Sequence, residues 1–320
     1  MKSDFRVRVP GSTSNLGSGF DAFSAALSLY LSVDVTLVPG HGLHWPDELS
    51  SAPEENAILQ GLLCGSRQWE VQLPGLQFRV HNEIPLGRGL GSSGAAFVAG
   101  LRIAEHLSGA SRSREEILQL AYRLEGHPDN VAASLLGGWV LSWTDGESVC
   151  AVGLPARLEC RFVTVIPELR ISTADARRIL PASYGLQDAV FNLQRSALLV
   201  FALLQGRGEL LAEATRDRLH QPYRARLIPG AAEILAREGV PAELKDGLLA
   251  VTVSGSGSTL LALVGKEGDA SAVADWMLQR LARHGVKATS RILELVQEGG
   301  GVVFSGVQET GSGGLERESG

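Results

Sequence analysis

The sequence predicts an α+β fold in two domains, and three observations carry that reading. The chain has 320 residues, which at about 100 to 200 residues per domain suits two units. Apolar stretches with a period of two alternate with helical patterns, yet never settle into a regular strand–helix repeat, which argues against a doubly wound parallel sheet. No segment recurs at the roughly 20- to 50-residue periods of solenoids.

The first strand is read from Phe5, Val7 and Val9 alternating with Arg6 and Arg8, the signature of a half-buried strand. A Gly- and Ser-containing connection follows over 11–27, then a second alternating strand carries Leu31, Val33, Val35 and Leu37. Leu76, Phe78 and Val80 mark a third strand, which runs into a Gly-rich loop and a buried helix over 95–107. Ser113 with Glu116 forms the pattern of a capping box, and Ile117, Leu120, Ala121 and Leu124 give helical spacing that ends at Glu125. A long apolar helix is expected over 189–205 and another over 270–284, the latter closed by Gly285. Strands are expected over 248–253 and 259–264, and again around 291–296. These elements divide into an N-terminal domain at 1–158, a C-terminal domain at 159–305 and a disordered tail at 306–320 that is too poor in apolar residues to order itself.

Composition narrows the function classes. The 29 Lys and Arg against 35 Asp and Glu give a net charge of −6, so there is no global basic face for nucleic acid and an anionic ligand must be held locally. No apolar run approaches the ~20 residues of a membrane span, and the N-terminus alternates charges rather than showing a signal peptide. Cys64, Cys150 and Cys160 are odd in number and far apart, which implies neither a disulfide framework nor a CxxC metal site. The expected compartment is the cytosol.

Four loops could carry chemistry. Pro85, Leu86, Gly87, Arg88, Gly89, Leu90, Gly91, Ser92, Ser93, Gly94 and Ala95 lead from a strand into a helix. The glycines let successive N–H groups face one concavity while the helix adds its positive end, which makes a phosphate cradle; a ligand-free tight turn is the alternative. The same loop matches GxGxxG, but a second helix follows where a dinucleotide site needs a strand, and no Gly-Lys-Ser/Thr completes a Walker loop. Glu125 could join Ser93 in holding Mg²⁺, or be an ordinary helix-end carboxylate. Asn15 and Asp21, six residues apart, could hold an ammonium group or cap a helix. Ser254, Gly255, Ser256 and Gly257 join two apolar strands and could lie against a ligand or form a plain hairpin.

Together these loops resemble the GHMP small-molecule kinases. Residues 85–95 are similar to that family's phosphate motif and 254–259 to its third motif. The resemblance is to the homoserine kinase branch, through Asn15-Leu16-Gly17 with Gly19-Phe20-Asp21, Glu125-Gly126-His127-Pro128-Asp129-Asn130, Ser172-Thr173-Ala174-Asp175-Ala176-Arg177, and the run from Asp217 to Arg224. It covers about residues 5 to 300. The resemblance implies a ribosomal S5 domain 2-like N-terminal domain and a ferredoxin-like C-terminal domain. It implies ATP-dependent phosphorylation of L-homoserine to O-phospho-L-homoserine in threonine biosynthesis, with ATP and Mg²⁺ as cofactors and a homodimer as a candidate assembly. By position, residues 85–95 would hold the phosphates, Ser93 and Glu125 the Mg²⁺, Asn15 and Asp21 the substrate ammonium, Arg177 and Arg224 its carboxylate, and Asn130 its hydroxyl. The side chains suit an amino acid, because Arg presents a planar fork to a carboxylate. An amide at 130 cannot accept a proton, so catalysis by positioning is expected, with Asp129 not an obligatory base. Ser18, Ala133 and Ser258 stand where the family usually has Pro, and greater backbone freedom is expected there; Gly94, replacing Ala or Ser, weakens helix propensity in a first turn.

Overall fold

The structure is a computed structural model that describes residues 4–50 and 52–304; the tail expected over 306–320 lies outside the described residues. The N-terminal part runs β1 (Phe5–Ser14), β2 (Phe23–Val38), β3 (Leu43–His44), α1 (Ala57–Gln68), β4 (Gly75–Asn82), α2 (Ser92–Ser108), α3 (Arg114–Glu125), α4 (Pro128–Leu136), β5 (Trp139–Asp145) and β6 (Ser148–Leu154). There follow β7 (Cys160–Pro167), α5 (Thr173–Arg178), α6 (Leu186–Gln205), α7 (Leu211–Ala214), α8 (Gln221–Arg224), α9 (Ala231–Leu235), β8 (Leu248–Val253), β9 (Leu260–Gly265), α10 (Ala270–Arg283), β10 (Ala288–Leu293) and β11 (Gly301–Phe304).

In the first sheet the strand order is β11-β1-β2-β4-β3, with β5 paired to β2 and β6. β2 is buried at Leu27, Leu29, Leu31, Val33 and Val35 and only partly buried between them, so one face meets the core and the alternation read from sequence is realised. A register shift in the β1–β2 ladder falls at Pro10/Gly11, and the chain beyond it forms the site. Ser113 caps α3 by accepting from the Glu116 N–H. Pro128 occupies the first turn of α4, where its missing N–H costs nothing.

The second sheet has the order β10-β7-β9-β8, the fourth–first–third–second arrangement of a ferredoxin-like βαββαβ unit. α10 buries Val273, Met277 and Leu281 in one cluster with Val163, Val165, Val253 and Ala262 of the sheet. Two features depart from the division expected at residue 158. Phe162, Leu199 and Leu203 join the same buried cluster as Trp139 and Leu135, with the Trp139 and Phe162 rings 5.3 Å apart, so apolar packing runs across the boundary. Moreover, β11 leaves the segment 159–305 and pairs antiparallel with β1, Phe5 opposite Phe304 and Arg8 opposite Gly301. The edge of β1 offers unpaired backbone groups that a strand from any part of the chain can satisfy.

Candidate active site

Between β4 and α2 the backbone takes positive φ at Gly87 (64°), Gly89 (74°) and Gly91 (71°). A Cβ at 91 would lie 2.1 Å from Ser12 Oγ and one at 89 would lie 2.1 Å from the Ser254 carbonyl oxygen, so only glycine lets the loop pass between its neighbours. Gly91 is the N-cap of α2 and brings no side-chain acceptor to the leading N–H groups. Those groups and the positive helix end are therefore available to an anion. The third-motif loop is stitched to this cradle: Ser254 Oγ donates to the Gly89 carbonyl at 2.7 Å, and the Thr259 N–H to the Arg88 carbonyl at 3.2 Å.

Ser93 Oγ donates to Glu125 Oε1 at 2.7 Å, which brings the two residues expected to hold Mg²⁺ into contact at the start of α2 and the end of α3. Burial raises the Glu125 pKa, against the charge of His127 and the Ser93 hydroxyl and with help from Asp129. A carboxylate whose charge is disfavoured by burial beside a phosphate cradle suits a hard cation. No cluster of three His, Cys, Asp or Glu side chains suited to a metal occurs among the described residues. Mg²⁺ would therefore draw its remaining oxygens from phosphate and water, as it usually does.

The expected amino-acid clamp is assembled in the same cleft, a cavity of about 420 Å³ lined by Asn15, Asp21, Arg177, Arg224, the phosphate loop and Ser256. Arg177 Nη1 and Nη2 hold the two Asp21 oxygens at 3.0 and 2.9 Å. Burial opposes the Arg177 charge, but the bonded Asp21 carboxylate raises its pKa on balance. Arg224 is only 2% exposed; it donates to the Gly255 carbonyl at 2.7 Å and at longer range to the Ala176 carbonyl and His220 Nδ1. No carboxylate is among its bonding partners in the described residues, and burial lowers its pKa. Asp21, Asp129 and Asp217 favour its charge without bonding to it; a buried guanidinium with no hydrogen-bonded anion is costly, and it lines the cleft. Asn15 also lines the cleft, but its amide is engaged, Nδ2 with the Gly255 carbonyl at 2.9 Å and Oδ1 with the Asp21 N–H at 3.0 Å. The amide thus orients Asp21, and one Oδ1 lone pair remains.

Asn130 Oδ1 accepts from Ser12 Oγ at 2.9 Å, so the amide faces the cleft in a set orientation. Its neighbour Asp129 is 2% exposed. Burial there opposes charge, yet His127 at 3.2 Å and the Asn130 N–H at 2.8 Å hold the carboxylate below its usual range. A carboxylate so stabilised is a weak base, in keeping with positional catalysis. The serines at the usual proline positions are hydrogen-bonded to neighbouring segments. Ser18 Oγ donates to the Ala214 carbonyl at 2.7 Å and Ser258 Oγ to the Leu169 carbonyl, both residues being buried. Each hydroxyl thus ties its loop to a neighbouring segment. Ala133 is buried within α4.

The sequence assigned no individual role to Ser12, nor to Asp217 and His220 within the motif 217–224, nor to the apolar wall of Leu31, Leu49, Ile58, Val80 and Ala96 that lines the same cleft. Ser12 stood in a polar loop already under suspicion; the wall gave no signal, because its members are ordinary strand and helix residues far apart in the chain.

The models of the GHMP kinases N-terminal and C-terminal domains match residues 56–138 and 200–283, together more than half of the chain. The chain belongs to the GHMP kinase family. It is 40% identical over 304 residues to a homoserine kinase of Desulfitobacterium hafniense, covering 93% of this chain and 99% of that one. A Thermus thermophilus homoserine kinase is 45% identical over 258 residues, 81% of this GHMP kinase and 86% of the relative. Among solved structures, the homoserine kinase from Cytophaga hutchinsonii superposes with a TM-score of 0.83 at 27% identity, covering 95% of this chain and 98% of that one. Streptococcus pneumoniae phosphomevalonate kinase in complex with phosphomevalonate and AMPPNP gives a TM-score of 0.67 at 15% identity, over 90% and 99% of the two chains, a likeness of fold alone.

Proposed function

We propose that this GHMP kinase transfers the γ-phosphoryl group of Mg-ATP to the side-chain hydroxyl of L-homoserine, giving O-phospho-L-homoserine and ADP on the route to threonine. The observation that carries the reading is Arg224, a buried cation with no carboxylate hydrogen-bonded to it, beside the Asp21–Arg177 pair in the cleft that also holds the phosphate cradle. In the free protein Asp21 and Arg177 neutralise each other. An amino-acid zwitterion presents an ammonium to Asp21 and a carboxylate to Arg177 and Arg224, so it replaces one internal pair with complementary contacts and supplies Arg224 with a hydrogen-bonded carboxylate. A sugar or an uncharged alcohol does neither.

Residues 85–95 hold the phosphates through backbone N–H groups and the end of α2, and the apolar wall receives the base. Ser93 and Glu125 are the residues that hold Mg²⁺, which neutralises phosphate charge when bound. Asn130, held by Ser12, orients the substrate hydroxyl, whose oxygen bonds to the γ-phosphorus as the bond to the bridging oxygen breaks and ADP leaves. A loose transition state asks little of a base, so orientation supplies most of the catalysis and the hydroxyl proton passes late to an oxygen of the transferred phosphoryl group.

The compartment proposed is the cytosol; no helix among the described residues is long and apolar enough to cross a membrane. The assembly proposed is a homodimer through α6, which exposes Leu186, Val190, Leu193 and Phe201 along one stripe. Antiparallel pairing centred between Leu193 and Gln194 would set Leu186 against Phe201, a self-complementary arrangement, and light scattering reads the mass directly.

The deciding experiment measures ADP formation with Mg-ATP and L-homoserine, L-serine, L-threonine or mevalonate. Turnover selective for L-homoserine is expected. Turnover only with mevalonate would discard the amino-acid clamp, and stabilisation by Mg-ATP without any turnover would favour a binding protein.

A further inference from the structure

Two pieces of the substrate clamp reach the cleft on different parts of the chain: Asn15 and Asp21 on the connection after β1, and Arg224 on α8. The side chain that lies between them is His220, fully buried. Its Nε2 is 2.7 Å from the Gly17 carbonyl oxygen, inside the Asn15–Asp21 connection, and its Nδ1 is 3.4 Å from Arg224 Nη1. The ring stacks on Phe20 with centroids 5.1 Å apart, and the Arg224 guanidinium lies 5.1 Å from the same Phe20 ring.

The partners assign the ring's protons. A carbonyl only accepts, so Nε2 carries a hydrogen; a guanidinium only donates, so Nδ1 is bare. Asp217 Oδ2 is 3.6 Å from Nε2 and would favour a charged ring. However, Asp217 is already engaged by the Asn192 amide, at 2.7 Å, and by the N–H groups of Leu219, His220 and Gln221, at 2.6 to 2.9 Å. Burial in turn lowers the His220 pKa. A neutral ring satisfies both neighbours, whereas a second N–H would point at Arg224. Asp217 meanwhile anchors the backbone on which His220 stands.

We propose that His220, as the neutral Nε2–H tautomer, is a positioning residue that ties the Gly17 carbonyl to Arg224 and so sets the spacing between the ammonium-binding and carboxylate-binding halves of the clamp. It touches no substrate; it fixes the distance an amino-acid substrate must bridge. The inference rests on the amino-acid reading of the cleft.

The test compares wild type, His220→Gln and His220→Phe. Glutamine keeps an N–H near the Nε2 position but loses the Nδ1 acceptor; phenylalanine keeps ring packing and loses both contacts. KM for L-homoserine is expected to rise roughly tenfold in His220→Phe and by less in His220→Gln, while KM for ATP and the melting shift with Mg-ATP stay at wild-type values. In ¹⁵N-resolved NMR at neutral pH the His220 ring should show one protonated nitrogen, Nε2. An unchanged KM for homoserine in the soluble glutamine variant, a parallel rise in KM for ATP, or a ring protonated at Nδ1 at neutral pH would overturn the proposal. Wild-type protein that turns over no amino acid would instead refute the underlying substrate reading, a separate outcome seen before any variant is made.

Discussion

Replacing Arg224 with methionine separates what the buried guanidinium does for catalysis from what it does for stability. Methionine has similar length and needs no hydrogen bond. The Gly255 carbonyl, now held by Arg224 at 2.7 Å, retains the Asn15 amide at 2.9 Å. The losses are long contacts of 3.4 Å to the Ala176 carbonyl and His220 Nδ1, together about 1 kcal/mol. Against this stands relief from burying a cation 2% exposed with no carboxylate bonded to it, which in comparable replacements is worth about 1 to 4 kcal/mol. The net is neutral to stabilising by about 1 kcal/mol, so the melting temperature should hold or rise by about 2 to 4 °C. Catalysis moves the other way. Removing a desolvated partner of the substrate carboxylate costs about 2 to 4 kcal/mol, or roughly 30- to 1000-fold in kcat/KM for homoserine. Coupled ADP detection and thermal melts with and without Mg-ATP read both quantities. A melting temperature lowered by more than about 4 °C would refute the stability reasoning, and an unchanged kcat/KM would refute the clamp.

Glu125→Gln should lower kcat at saturating Mg-ATP by about 100-fold or more, whereas Asp129→Asn should lose distinctly less; equal losses in the two would make Asp129 a base. Gly91→Ala places a methyl 2.1 Å from Ser12 Oγ at φ 71°, a strain of about 1 to 3 kcal/mol or more; melting should fall by several degrees and Mg-ATP should cease to raise it, while a variant with wild-type nucleotide affinity would show that the loop tolerates a side chain. The Cys160 thiol is pushed up to about 12 by burial, with Glu294 adding to the effect, so at pH 8.5 it stays a thiol and should resist iodoacetamide until the protein unfolds; mass spectrometry that finds it alkylated in the native state would contradict its burial.

The elements legible in the sequence were those whose pattern is local. α3 carries its own cap in Ser113, and β8 is a short apolar run ended by a Gly-Ser turn; both lie where the pattern places them. α2 begins three residues earlier than its apolar run suggested, because Ser92, Ser93 and Gly94 form its first turn and polar first turns do not register as apolar periodicity. α1 went unread, although Asn56 caps it by accepting from the Leu59 N–H, since its glycines and serine dilute the stripe. β11 was invisible because its place depends on an open edge nearly 300 residues earlier. At the site, the loops and charged residues were readable as motifs. What was not readable is how they spend their bonds in the free protein: Asp21 on Arg177, Asn15 on Gly255, and His220 on Gly17, each a contact between segments far apart in sequence.

The pairing of β11 with β1 has a consequence for the order in which the chain can be completed. On the ribosome β1 is made nearly 300 residues before its second neighbour. Until residues 301–304 emerge, Phe5 to Arg8 lack the partner opposite them on one edge, and a chain released early leaves that edge open to pairing with another molecule. β11 therefore acts as a clasp that closes only after the nearly 300 residues between the two strands have been made, so that loss of a few residues near position 301 should show itself as aggregation while the catalytic residues remain chemically intact.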